Sequence, residues 1–114
     1  MDSTELILLY DYYGALLTQR QQICFEMRYH QDLSLGEIGD ELGISRQGVH
    51  DNLSRTEAML RKMEEKTGCV RRDRSCRKAA KEILQSAQVL AGHTDQNVSA
   101  LAKEILSVVE ALGE

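Results

Sequence analysis

The sequence contains no proline and no tryptophan, and only one phenylalanine and four tyrosines among 114 residues. Without proline, nothing in the chain forces a kink or a stop in a helix. What dominates instead is Leu, Ala, Glu, Lys, Arg and Gln, the makeup of long helices with few breaks, so the expected fold class is all-α. Long apolar runs are also missing. The stretch Leu6 to Leu9 is far too short for a signal peptide or a membrane span and follows acidic residues, which points to the cytoplasm and to no membrane insertion. The three cysteines, Cys24, Cys69 and Cys76, are odd in number and form no CxxC, which fits free thiols in a reducing compartment. Cys69, Cys76 and His93 match no zinc spacing and lack a fourth ligand, so no metal is expected. There is no nucleophile motif, no phosphate-binding glycine loop and no evident carboxylate pair. The sequence reads as a non-enzyme without a cofactor.

The charge that is present is unevenly placed. Residues 1–45 carry two basic and eight acidic side chains, residues 46–81 eleven basic and five acidic, and residues 82–114 one basic and five acidic. The basic segment starts where a recognition helix would start, and that is the part expected to approach phosphates. A merely solvated basic helix is the plainer reading.

Periodicity predicts six helices. Leu6, Leu9, Tyr10, Tyr13 and Leu17 form one stripe behind a cap at Ser3 or Thr4. Thr18 and Gln21 are placed as a capping box for a second helix, with Ile23, Met27 and Cys24 inward, ending near His30 to Asp32. Ser34 and Glu37 form a second box ahead of Leu35, Ile38 and Leu42, and Gly43 stops that helix. Ser45 caps a long fourth helix whose Val49, Leu53, Thr56, Leu60 and Met63 make a heptad-like seam up to Thr67 and Gly68. Cys69 to Ser75 reads as a basic loop. Two helices follow, about 75–91 with Ala79, Ile83, Ala87 and Leu90 inward, and about 95–112 with Val98, Leu101, Ile105, Val108 and Leu112 inward. Tyr10 and Tyr13 read as core residues with surface hydroxyls, Tyr12 as exposed, His30 and His93 as helix-end or loop residues, and Cys24 as core.

The run SLGEIGDELGISRQGVHDNLSRTE has the spacing of a helix-turn-helix. The first helix needs a small residue where the second crosses it, supplied by Gly39. The turn needs a residue that tolerates positive φ, supplied by Gly43. Ile44 and Val49 anchor the second helix, whose first turns then face the major groove. Arg46, Gln47 and His50 fall on that outward face, and Arg and Gln pair with guanine and adenine edges. Ser45, Ser54, Arg55, Arg61 and Lys62 are placed for the DNA backbone. Arg71, Arg72, Arg74, Arg77, Lys78 and Lys81 form a basic run that is either solvated or a further nucleic-acid contact. Asp51 repels phosphate, and Gly48 weakens the helix by about 1 kcal/mol relative to Ala, which fits close approach to a partner.

The stretches YDYYGALLT (Tyr10 to Thr18) and SLGEIGDELGISRQGVHDNLSRTE (Ser34 to Glu57) resemble the YlxM family of small bacterial helix-turn-helix proteins, which is similar in turn to the promoter-contacting fourth region of sigma factors. The likeness covers the N-terminal half; Gly48 and the segment Cys69 to Lys81 depart from the pattern. The resemblance implies a DNA-binding regulatory protein linked to the signal recognition particle pathway. The alternative it implies is a protein- or RNA-interaction module acting on that particle's GTPase or receptor. The organisation expected is a helix-turn-helix domain over 1–67 and a helical extension over 68–114 that dimerises, with the exchange of its helices between chains left open.

Overall fold

The structure is a computed structural model that describes residues 3–112. Among these there are six α-helices, one 3-10 turn and no strand. The chain divides into two compact units, Met1–Val70 and Arg71–Glu114.

In the first unit, α1 (Ser3–Tyr13) buries Leu6, Leu9 and Tyr13 on the predicted stripe and ends in the 3-10 turn Gly14–Leu16. Helix α2 (Gln19–Tyr29) begins at a complete capping box: Gln21 N donates to Thr18 Oγ1 at 3.2 Å and Thr18 N to Gln21 Oε1 at 2.9 Å. Cys24 and Met27 turn inward as the spacing predicts, but Phe25 takes the place expected of Ile23. Cys24 and Phe25 are buried while Ile23 is exposed. The reason is aromatic packing, with Phe25 stacked on Tyr10 at 4.2 Å between centroids and tilted against Tyr29 at 4.5 Å.

Helix α3 (Leu35–Leu42) carries the second box, with Ser34 and Glu37 exchanging two bonds of 3.1 Å each. The Ser34 amide donates to the Glu37 carboxylate and is the main cause that holds it below the usual range, with the Ser34 side chain a lesser one. Helix α4 (Arg46–Thr67) touches α1, α2 and α3 and forms the spine of the unit. Its seam matches the predicted one: Val49, Thr56 and Leu60 are fully buried, with Leu53 and Met63 half-buried. Val49 joins Cys24 and Ile38 in one core cluster, and Leu60 joins Leu6, Leu9, Tyr13, Phe25 and Val70 in the other. Gly68 ends α4 in the left-handed region at φ 63°.

The basic stretch after Gly68 is not a loop. Helix α5 runs unbroken from Cys69 to Ala91. Nothing between those residues breaks a helix, and arginine favours one. Its first amides are also met: Val70 N donates to Glu64 Oε1 at 3.0 Å and Cys69 N to Thr67 Oγ1 at 3.4 Å. The same Glu64 oxygen accepts from the Tyr13 hydroxyl at 2.6 Å, and that hydroxyl lies 2.6 Å from Thr67 Oγ1.

In the second unit, α5 is joined to α6 (Gln96–Leu112) by residues 92–95, where Asp95 Oδ1 accepts from Asn97 N at 2.8 Å. His93 sits in that turn, its Nδ1 accepting from Asp95 N. Ser99 Oγ donates to the Ala91 carbonyl at 2.8 Å across the hairpin. The inward face matches the predicted one only at Ala87, which is buried, and Val98, which is half-buried. Ala102 and Val109 are the other buried positions, whereas Ala79, Ile83, Leu90, Leu101, Ile105, Val108 and Leu112 are exposed. The buried positions are mostly small, which lets two helix backbones come close. No helix among the described residues is long and apolar enough to cross a membrane.

Candidate nucleic-acid interface

Two glycines set the corner between α3 and α4. Gly39 is buried, and a Cβ there would lie 2.7 Å from the Ile44 carbonyl oxygen and 3.6 Å from Arg46 N. Any side chain would therefore push the backbone of the turn off α3. Gly43 adopts φ 71°, a conformation that costs an L residue with a Cβ, and Ile44 N then closes back on Gly39 O at 3.0 Å. Ser45 Oγ accepts from Gly48 N at 3.0 Å and starts α4. With Val49 and Thr56 locked inward, the opposite side of the first turns of α4 has one direction to face, and that is outward.

Arg46, Gln47 and His50 come together there, all exposed, and with Leu35 they line an open hollow of about 430 Å³. They are not equally available. Gln47 Nε2 donates to Asp51 Oδ1 at 3.0 Å, and His50 Nδ1 lies 3.7 Å from the same oxygen. The carboxylate that looked out of place in the sequence is the local partner of two of the three expected base readers. Ser54, Arg55 and Lys62 are exposed on α4. Arg61 forms an i,i+4 ion pair with Glu57 at 2.9 Å. Gly48 has an internal explanation: a Cβ there would stand 3.2 Å from Ser45 Oγ, so the glycine makes room for the cap of its own helix.

A residue that sequence reasoning missed is Arg20. It lines a second open hollow, of about 510 Å³, together with Asp51, Asn52 and Arg55. Its Nη2 reaches the Leu42 carbonyl at 3.4 Å. The signal was present, because Arg20 is one of only two basic residues in 1–45 and stands two places after the Thr18 cap.

The tyrosines are structural. Tyr13 is buried, and burial is the main cause that raises its hydroxyl, helped by Glu64. Tyr10 is half-buried, and burial followed by its bond to Glu26 pushes its hydroxyl up to about 12. Tyr12 packs half-buried against the core rather than standing exposed.

The structure also relocates the positive charge. Helix α4 carries five basic and four acidic side chains, so it is nearly neutral, while residues 69–81 carry six basic and one acidic. Arg71, Arg72, Arg74, Arg77, Lys78 and Lys81 are all exposed on α5. Helical spacing sets Arg71, Arg74, Lys78 and Lys81 along one side. Arg77 lies 3.7 Å from Asp73.

Comparison with known proteins bears on the same region. A family profile described as "Putative helix-turn-helix protein, YlxM / p13 like" matches residues 1–100. The chain is 42% identical over 108 residues to a UPF0122 protein of Thermoanaerobacter sp. (strain X514), covering 94% of this chain and 92% of that one. It is 39% identical over 110 residues to a UPF0122 protein of Acetivibrio thermocellus, covering 96% and 89%. With a UPF0122 protein of Bacillus cereus (strain AH187) the identity is 34% over 110 residues, covering 96% of each chain.

Proposed function

Because the chain belongs to this YlxM / p13-like helix-turn-helix family, we propose that it is a regulatory protein that binds duplex DNA as a homodimer. One observation carries the reading: Arg46, Gln47 and His50 stand exposed together on the first turns of a helix whose opposite face is locked into the core. Arg46 reads a guanine edge, and Gln47 an adenine edge once it leaves Asp51. Ser45, Ser54, Arg55, Arg61 and Lys62 position the phosphate backbone. The basic side of α5 supplies the counterion-releasing charge that a nearly neutral α4 lacks. The test is a duplex titration by fluorescence anisotropy, on sites first selected from a random pool. Binding is expected to fall steeply as salt rises. Arg46→Ala is expected to cost about 1–3 kcal/mol and to relax the preference at one base pair. Absence of binding at low salt, relative to an acidic control protein, would overturn the reading.

A second reading is favoured by the Gln47–Asp51 bond and the acidic balance of the first unit. In it, the same face or the basic run on α5 contacts the signal recognition particle's GTPase, its receptor or its RNA, as the family resemblance implies. Adding the protein to the GTPase and its receptor would then change the hydrolysis rate. An unchanged rate together with no crosslink to particle RNA would remove it.

A further inference from the structure

The dimer in that reading is expected to form through the helical extension, and the second unit offers a particular face for it; the inference rests on the dimer alone, not on DNA binding. Helix α6 carries Leu101, Ile105, Val108 and Leu112 at steps of four, three and four, a single stripe along one side. Leu101, Val108 and Leu112 are 60%, 65% and 74% exposed. Ile105 continues the stripe across to α5, where it lines an open hollow of about 300 Å³ with Ile83, Ala87 and Leu90. Among the described residues, seven of the ten large exposed hydrophobics lie between Ile83 and Leu112. Against them, the hydrophobic side chains that the unit buries among the described residues are Ala87, Ala102 and Val109. A hairpin with so small a core is poorly stabilised by itself.

The size of the face says what covers it. The four α6 side chains with Ile83 and Leu90 leave roughly 600 Å² exposed, at the upper end of a monomer's largest apolar patch and most of the ~800 Å² that a standard interface takes from each partner. Charge says how it is covered. The first half of α5 is strongly basic, and the second half of α6 carries Glu104 and Glu110 with no basic residue after Lys103. In a hairpin, the start of α5 and the end of α6 share one end. We propose that this face closes on the same face of a second copy, two hairpins about a two-fold axis parallel to the helices forming a four-helix bundle. That arrangement sets the acidic half of α6 in each copy beside the basic half of α5 in the other.

Sedimentation of the full chain, without nucleic acid, tests it. The wild type is expected to sediment as a dimer at micromolar concentration. The double variant Leu101→Glu with Val108→Glu is expected to be monomeric, with self-association weakened about 100-fold or more and far-UV circular dichroism unchanged. Both positions are already more than half exposed in the single chain, so the charges disturb only a covered state. A monomeric wild type overturns the proposal, and so does a double variant that stays dimeric. If the double variant loses helicity, charge reversal decides instead. Glu104→Lys with Glu110→Lys, and separately Lys78→Glu with Lys81→Glu, each weaken self-pairing, and mixing the two restores a dimer. No recovery on mixing overturns it. Loss of this dimer face leaves the duplex titration of the first unit to be judged separately.

Discussion

Gly39 and Thr56 are single residues whose surroundings fix the sign of a substitution. At Gly39 the nearest neighbour of an added methyl is the backbone carbonyl of Ile44 at 2.7 Å, which cannot swing aside as a side chain would. Gly39→Ala gains helix propensity of about 1 kcal/mol, yet overpacking against backbone costs about 1–3 kcal/mol and displaces Arg46 from the corner. A lower melting temperature is the expected outcome, read by circular dichroism. At Thr56 the opposite holds. Its hydroxyl oxygen is buried and has no hydrogen-bond partner, in a side chain at 0% exposure. Thr56→Val keeps the shape and the β-branch and removes an unmet polar group, whose burial costs roughly 1–3 kcal/mol. The urea midpoint is expected to rise.

At the scale of the element, the passage from α4 to α5 depends on one carboxylate. Glu64 receives the Tyr13 hydroxyl and the Val70 amide in the first turn of α5, so it ties α1 to the start of the next helix. Glu64→Ala is expected to cost about 1.5–3 kcal/mol, the range for bonds to a charged group, and hydrogen exchange should quicken first at Val70 and the amides after it. Unchanged exchange at Val70 would mean that water replaces the cap. The elements of the first unit were legible because their signals are local: two capping boxes, a glycine at the turn and a seam along α4 each depend on neighbours within a few residues. Phe25 escaped because the spacing of α2 permits either face, and only stacking on Tyr10 from another helix decides between them. The start of α5 was hidden because Val70 N is met by Glu64, six residues back, and Cys69 N by Thr67 across the glycine, rather than by a Ser or Asp directly ahead of the helix. The stripes of the second unit were found correctly as stripes, but periodicity reports which side is apolar and not which chain covers it. The three expected base readers were legible as outward residues; the hold of Asp51 on Gln47 and His50 was not, since it depends on rotamers.

At the scale of the whole molecule, the two units differ in charge. Residues 1–70 carry seven basic and twelve acidic side chains, and residues 71–114 seven basic and six acidic. Both core clusters lie within the first unit. A fragment ending at Val70 is therefore expected to melt cooperatively by itself. In the proposed reading it also loses most of its affinity for duplex and most of its salt dependence, because the six basic residues of α5 go with the deleted part. Full-strength binding by the fragment, measured by the same anisotropy titration, would place the phosphate contacts elsewhere.

The negative balance of the first unit has its own consequence for a search along a chromosome. In the proposed reading, a headpiece of net negative charge is held near random sequence only through the basic run of α5, so the time spent sliding there shortens as salt screens that run.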